Sequence, residues 1–116
     1  MTHPLIRKMS RLLIVLTSLV CCWGLGQADP AKPAPRPSAW FTAEEVAPNT
    51  WRIDDHGIAN IYLVIGTQRA LLVDTGAGAA DLRGFAQSLT SLPISVINTH
   101  GHPDHVGANF QFGAIM

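Results

Sequence analysis

Four metal-competent side chains crowd into six residues, His100-Gly101-His102-Pro103-Asp104-His105, which hold three of the chain's five histidines. No other stretch limits the fold so closely, because such side chains do chemistry only where a rigid frame brings them together. His100 and His102 are two apart in an extended segment, so both imidazoles should point to one side. Pro103 stiffens the backbone. Asp104 and His105 are adjacent and expected to diverge, which serves two metal ions more easily than one. Nitrogen and carboxylate donors without sulfur suit Zn²⁺, with Fe and Mn as alternatives. The bland alternative is decoration of a surface loop. The place of the cluster, after a buried strand and before the apolar Val106–Phe112 stretch, argues against that. His56, alone in a turn, receives no role.

The frame is legible upstream of the cluster. Val46 to Ile53 reads as a short strand broken by Pro48-Asn49, and Asp54-Asp55-His56-Gly57 has the residues of a tight turn. Ile58 to Ile65 is rich in Ile, Val and Tyr, a buried strand. Gly66 to Arg69 turns it back into Ala70-Leu71-Leu72-Val73, a second buried strand ending at Asp74. Continuous apolar runs of this kind suggest a sheet covered on both faces. Leu82, Phe85, Ala86 and Leu89 then form one helical stripe, with Asp81 near its start and Pro93 beyond its end. Ile94 to Ile97 is a further strand. Strand, helix and strand make a βαβ unit, which sets the histidine cluster at the carboxyl end of a strand, where α/β sheets bind ligands.

Residues 1–28 read as an export signal. Arg7, Lys8 and Arg11 precede a nearly unbroken apolar run of 14 residues, Leu12 to Leu25, and Gly26-Gln27-Ala28 offers a cleavage site after Ala28. The run is short for a membrane span, so a periplasmic or secreted protein without stable membrane insertion is expected, rather than one with an uncleaved anchor. A lipoprotein would need a small residue before Cys21 or Cys22, where Val20 and Cys21 stand. Pro30, Pro33, Pro35 and Pro37 mark residues 29–39 as an extended linker, and the folded domain is expected over 40–116. Without the signal, the remaining 88 residues carry five basic and eight acidic side chains, a net charge of −3, and no cysteine. Disulfides and thiolate ligands are excluded, and nucleic acid is no expected partner because phosphate binding needs a surplus of Lys and Arg.

Two motifs carry a resemblance. The string Asn98-Thr99-His100-Gly101-His102-Pro103-Asp104-His105-Val106-Gly107 resembles the HxHxDH signature of the metallo-β-lactamase-fold hydrolases, and Leu71-Leu72-Val73-Asp74-Thr75-Gly76 resembles that family's earlier strand-and-turn motif. The likeness runs from about Val46 to the last residue. It implies an α/β fold, the first half of a four-layer αββα sandwich. It also implies one or two zinc ions, His100 and His102 on the first and Asp104 and His105 on the second. Asp104 would be the catalytic residue, binding metal and orienting the hydroxide, and Asp74 would steady the metal loop from outside. The implied chemistry is hydrolysis of a small-molecule ester, thioester, lactone or β-lactam-type bond by a metal-activated water.

The family's remaining ligands lie in its second half, and no His, Asp, Glu or Cys follows His105 here. Two nitrogen ligands per ion are too few for a closed site, so the expectation is a truncated amino-terminal part of a larger domain. An inactive metal-binding fragment or pseudoenzyme is the alternative. A further rival is a dimeric retroviral-type aspartic protease, whose active-site string Leu72-Val73-Asp74-Thr75-Gly76-Ala77 resembles; it leaves the histidine cluster unexplained. The pocket-shaping loops of the fold lie mostly elsewhere, so the substrate stays open.

Overall fold

In the computed structural model, which describes residues 34–116, the sheet starts earlier than the sequence suggests. β1 (Phe41–Ala47) and β2 (Thr50–Asp55) form an antiparallel hairpin. The Pro48-Asn49 pair, read from sequence as a break within one strand, is the reversal between two. Pro48 pre-sets its own backbone angle, and Asn49 takes φ 57°, a conformation Asn tolerates better than most residues. β1 is hard to see in sequence because Glu44 and Glu45 interrupt its apolar residues.

β3 (Ala59–Ile65) follows after three residues, His56 to Ile58. His56 and Gly57 both have positive φ, 52° and 77°, and the Ile58 amide donates to the Asp55 carbonyl at 2.8 Å. This is the mirror-image turn whose twist matches that of the flanking strands. β4 (Ala70–Val73) returns antiparallel to β3, and the chain then crosses over through α1 (Leu82–Gln87) to β5 (Ile94–Ile97), which runs parallel to β4. The order is β1-β2-β3-β4-β5, one mixed sheet. Asp81 caps α1 by accepting the Gly84 amide at 2.8 Å. Beyond β5 come α2 (Pro103–Val106), a 3₁₀ turn at Asn109–Gln111, and Ile115, which bridges in parallel to Val96.

Side-chain alternation decides what the sheet buries. Trp51, Ile53, Ile61, Leu63, Ala70, Leu72 and Val96 turn inward and share one core with Leu82, Phe85, Ala86 and Leu89. The end of the linker also lies on α1: the Arg36 amide donates to Ser88 Oγ at 2.9 Å, and its guanidinium stands 3.4 Å from Asp81. The other sheet face differs from expectation. Tyr62, Val64 and Ile97 are 39–40% exposed, so among the described residues only one face is covered. The observed architecture is a mixed five-stranded sheet with few helices, compatible with part of a four-layer domain; the second sheet of such a sandwich is not among the described residues. The expected signal, residues 1–28, lies outside them too. Among the described residues no helix is long and apolar enough to cross a membrane.

Phe85 is 1% exposed and packs on Phe41 with ring centroids 5.3 Å apart. Phe85→Ala should cost about 3–5 kcal/mol in urea unfolding, transfer loss plus cavity. Phe110→Ala, at a residue 78% exposed, should stay within about 0.5 kcal/mol.

Candidate functional site

The parallel pairing of β4 with β5, with Val73 opposite Ile97, brings the turn after β4 beside the loop after β5. The first turn carries Asp74 to Gly78 and the second carries Asn98 to Gly101 before α2 begins. Both lie at the carboxyl end of the only parallel strand pair among the described strands, as a βαβ unit requires.

Asp74 joins the two. Its amide donates to the Ile97 carbonyl at 2.8 Å, and its backbone takes φ 66°, which few residues other than Gly, Asn and Asp adopt cheaply. The side chain is buried and aimed into the second loop. Oδ1 accepts the Thr99 amide at 2.7 Å, and Oδ2 accepts the Thr99 hydroxyl at 2.7 Å and meets His105 Nδ1 at 2.8 Å. Burial alone pushes this carboxyl up. The amide and hydroxyl of Thr99 and the His105 ring outweigh it and hold Asp74 below the ordinary carboxylate range.

This network orients two histidine rings. The Thr99 hydroxyl gives its only hydrogen to the Asp74 carboxylate, so at 2.9 Å it accepts from His100 Nδ1. His105 Nδ1 likewise donates to Asp74. Each ring is therefore held at Nδ1, and Nε2 is the nitrogen left outside the Asp74 network. His102 stands at the start of α2 in extended backbone, φ −71° and ψ 146°, with Pro103 as first helical residue. The His100 ring lies 4.6 Å from that of His102 and 4.0 Å from that of His105.

Asp104 and His105 do not diverge as the sequence suggests. Asp104 Oδ2 lies 3.4 Å from His105 Nε2, because Asp74 draws the His105 ring back over the loop. His56, which the sequence leaves without a role, stacks on Trp40 with ring centroids 4.4 Å apart.

Residues without a role in the sequence reading hold the loop. The His105 carbonyl accepts the Thr75 amide at 2.8 Å and Asn98 Nδ2 at 3.1 Å. Asn98 and Asn109 pair through their amides at 2.7 and 3.2 Å, and Thr75 Oγ1 donates to Asn109 Oδ1 at 2.8 Å. The Gly107 amide donates to the Gly76 carbonyl at 2.8 Å, and a Cβ on Gly107 would strike the Ala77 backbone. Asn98 and Thr99 flank the cluster and could have been weighed from that position; nothing in the sequence marks Asn109.

His100, His102, Asp104 and His105 are thus brought together, and Asp74 lies beneath them. Their donors suit a divalent ion in kind: imidazole nitrogens whose other ring position is held by a carboxylate or hydroxyl are the usual form of metal ligands. In number they fall short. Among the described residues no three or more His, Asp, Glu or Cys are placed to hold one ion together. Asp74 itself is 4% exposed with both oxygens engaged inside the chain, which does not suit the pairing with a second Asp74 that the aspartic-protease alternative demands. Residues 54–114, just over half of the chain, match the family model described as the metallo-beta-lactamase superfamily. No curated protein matches the chain significantly.

Because the folded-state acidity of Asp74 is raised relative to the unfolded chain, its contribution to stability is full above the unfolded carboxyl range and falls away as pH drops through the native value. With chelator present, Asp74→Asn should be less stable than the parent at pH 6, by about 1–3 kcal/mol. That gap should narrow steadily as pH falls below the ordinary carboxylate range. A gap independent of pH in urea titrations would show that the carboxylate charge is not what holds the loop.

Proposed function

Because the chain belongs to the metallo-β-lactamase superfamily, we propose that it serves metal-dependent hydrolysis of a small molecule carrying an ester, thioester, lactone or β-lactam-type bond. The observation that carries the reading is the pair of rings, His100 and His105, each held by a hydrogen bond at Nδ1. A histidine held at Nδ1 by an outer partner is the usual arrangement of a metal ligand that binds through Nε2.

His100, His102, Asp104 and His105 would hold the metal, Zn²⁺ by preference, with Fe or Mn as alternatives. Such an ion supplies Lewis acidity and makes a nearby water acidic enough to react near neutral pH. The chain's own residues do the rest. Asp74 and Thr99 orient His100 and His105 through their Nδ1 atoms. Asp104, half-buried and 3.4 Å from His105 Nε2, would both bind the metal and orient the reacting water. Export, expected from residues 1–28, would set this chemistry outside the cytoplasm.

A second reading is favoured by the incomplete donor set among the described residues: a chain that binds metal weakly and turns over nothing. Zinc titration with an ester, thioester and β-lactam panel separates the two. Hydrolysis that chelator abolishes and Zn²⁺ restores, and that His102→Ala lowers at least 100-fold (about 2.7 kcal/mol of barrier), supports the hydrolase. Weak zinc binding without turnover supports the second reading. Hydrolysis indifferent to chelator contradicts both. The intact mass of chain recovered outside the cytoplasm should begin at Asp29; recovery of the uncut chain in the membrane fraction would contradict export with cleavage.

A further inference from the structure

Asp55 is a buried carboxylate that the chemistry above does not use. It is 1% exposed and continues the inward series Trp51, Ile53, Asp55 along β2, so a charge stands where the strand period calls for an apolar residue. Burial at that position is costly unless both oxygens are satisfied, and they are. One accepts the indole N–H of Trp40, and the other accepts the Ala77 amide at 2.7 Å. Gly76 has no side chain where a Cβ would collide with this same carboxylate. The far side of the turn holds the histidine loop. The Gly76 carbonyl accepts the Gly107 amide, Thr75 holds the His105 carbonyl, and Gly107 packs directly on the Ala77 backbone. Three residues, Thr75 to Ala77, therefore separate a buried anion at the end of β2 from the loop that carries the histidines.

We propose that Asp55 is a positioning residue, fixing the Thr75–Ala77 turn from beneath and through it the placement of His105 and the metal-binding loop. The proposal rests on the metal-loop reading for its consequence and on the hydrogen bonds alone for its geometry. An uncharged Asn at position 55 would turn an N–H toward one of two N–H donors, and a donor facing a donor cannot hold both segments. The turn then shifts or loosens, and the loop with it.

Asp55→Asn in the full chain, compared with the core variant Leu89→Ala, provides the test. Two signals are followed at equal loss of thermal stability: the His105 Nδ1 proton resonance, which reports the bond to Asp74, and the dissociation constant for Zn²⁺. The expected result is a shift or loss of the His105 signal and an affinity at least tenfold weaker in Asp55→Asn, with both unchanged in Leu89→Ala. Equal effects in the two variants would reduce Asp55 to a general contributor to stability and overturn the proposal. If Asp55→Asn does not fold, amide exchange in the parent decides. Ala77 and Gly107 opening together supports the link, and Ala77 exchanging freely while Gly107 stays protected refutes it. A parent chain without zinc affinity would overturn the metal-loop reading, while the His105 signal would still judge the role of Asp55.

Discussion

The carboxylate of Asp74 is the interaction on which the chemistry-bearing end of the molecule depends. It lies at the end of one parallel strand and accepts from the loop that leaves the next, so the two loops are joined by a charge and not by backbone alone. A hydrogen bond to an ionised acceptor is roughly twice as strong as a neutral one, and this carboxylate receives three. Burial would ordinarily work against a charge here; the three donors reverse that balance. The same contacts hold His100 and His105 at their Nδ1 atoms, so one side chain sets both the shape of the loop and the orientation of its histidines.

The sheet provides the frame for that arrangement by a division of labour between its two kinds of pairing. The antiparallel ladder from β1 to β4 supplies most of the inward apolar side chains and closes through short turns. Among the described strands, the one parallel pair contributes fewer core residues but places two loops side by side. α1 covers the inner face at Leu82, Phe85, Ala86 and Leu89, and leaves the carboxyl ends of β4 and β5 clear.

Much of this was legible in the sequence, and the exceptions have physical reasons. β3, β4, α1 and β5 follow from apolar runs or from the helical stripe, although only one face of those strands is buried. β1 is half exposed and carries Glu44 and Glu45, so its alternation is faint. The histidine cluster could be placed at the end of a strand from the βαβ order. Its internal geometry could not, because His105 is turned by a residue 31 positions away in the chain. His56 is exposed in a turn, as its sequence context suggests, and from there its ring stacks on Trp40, a contact that no local pattern signals. Asp55 had a signal that went unread: an acid in step with Trp51 and Ile53 belongs on the inner face of the strand.

The separation along the chain between Asp74 and its partners has a consequence in chain entropy. Closing a loop costs free energy that grows with the logarithm of its length, so the 31-residue span from Asp74 to His105 costs about 2 kcal/mol more to close than the short turns of the antiparallel ladder. The ladder can form without the histidine loop in place, whereas the loop has no fixed position until β5 lies beside β4. That closure is offset once, by the pairing of β5 with β4 and the bonds from Asp74, Thr75 and Gly76 taken together. A junction held by several charge-assisted and backbone bonds at once is what such a long closure demands.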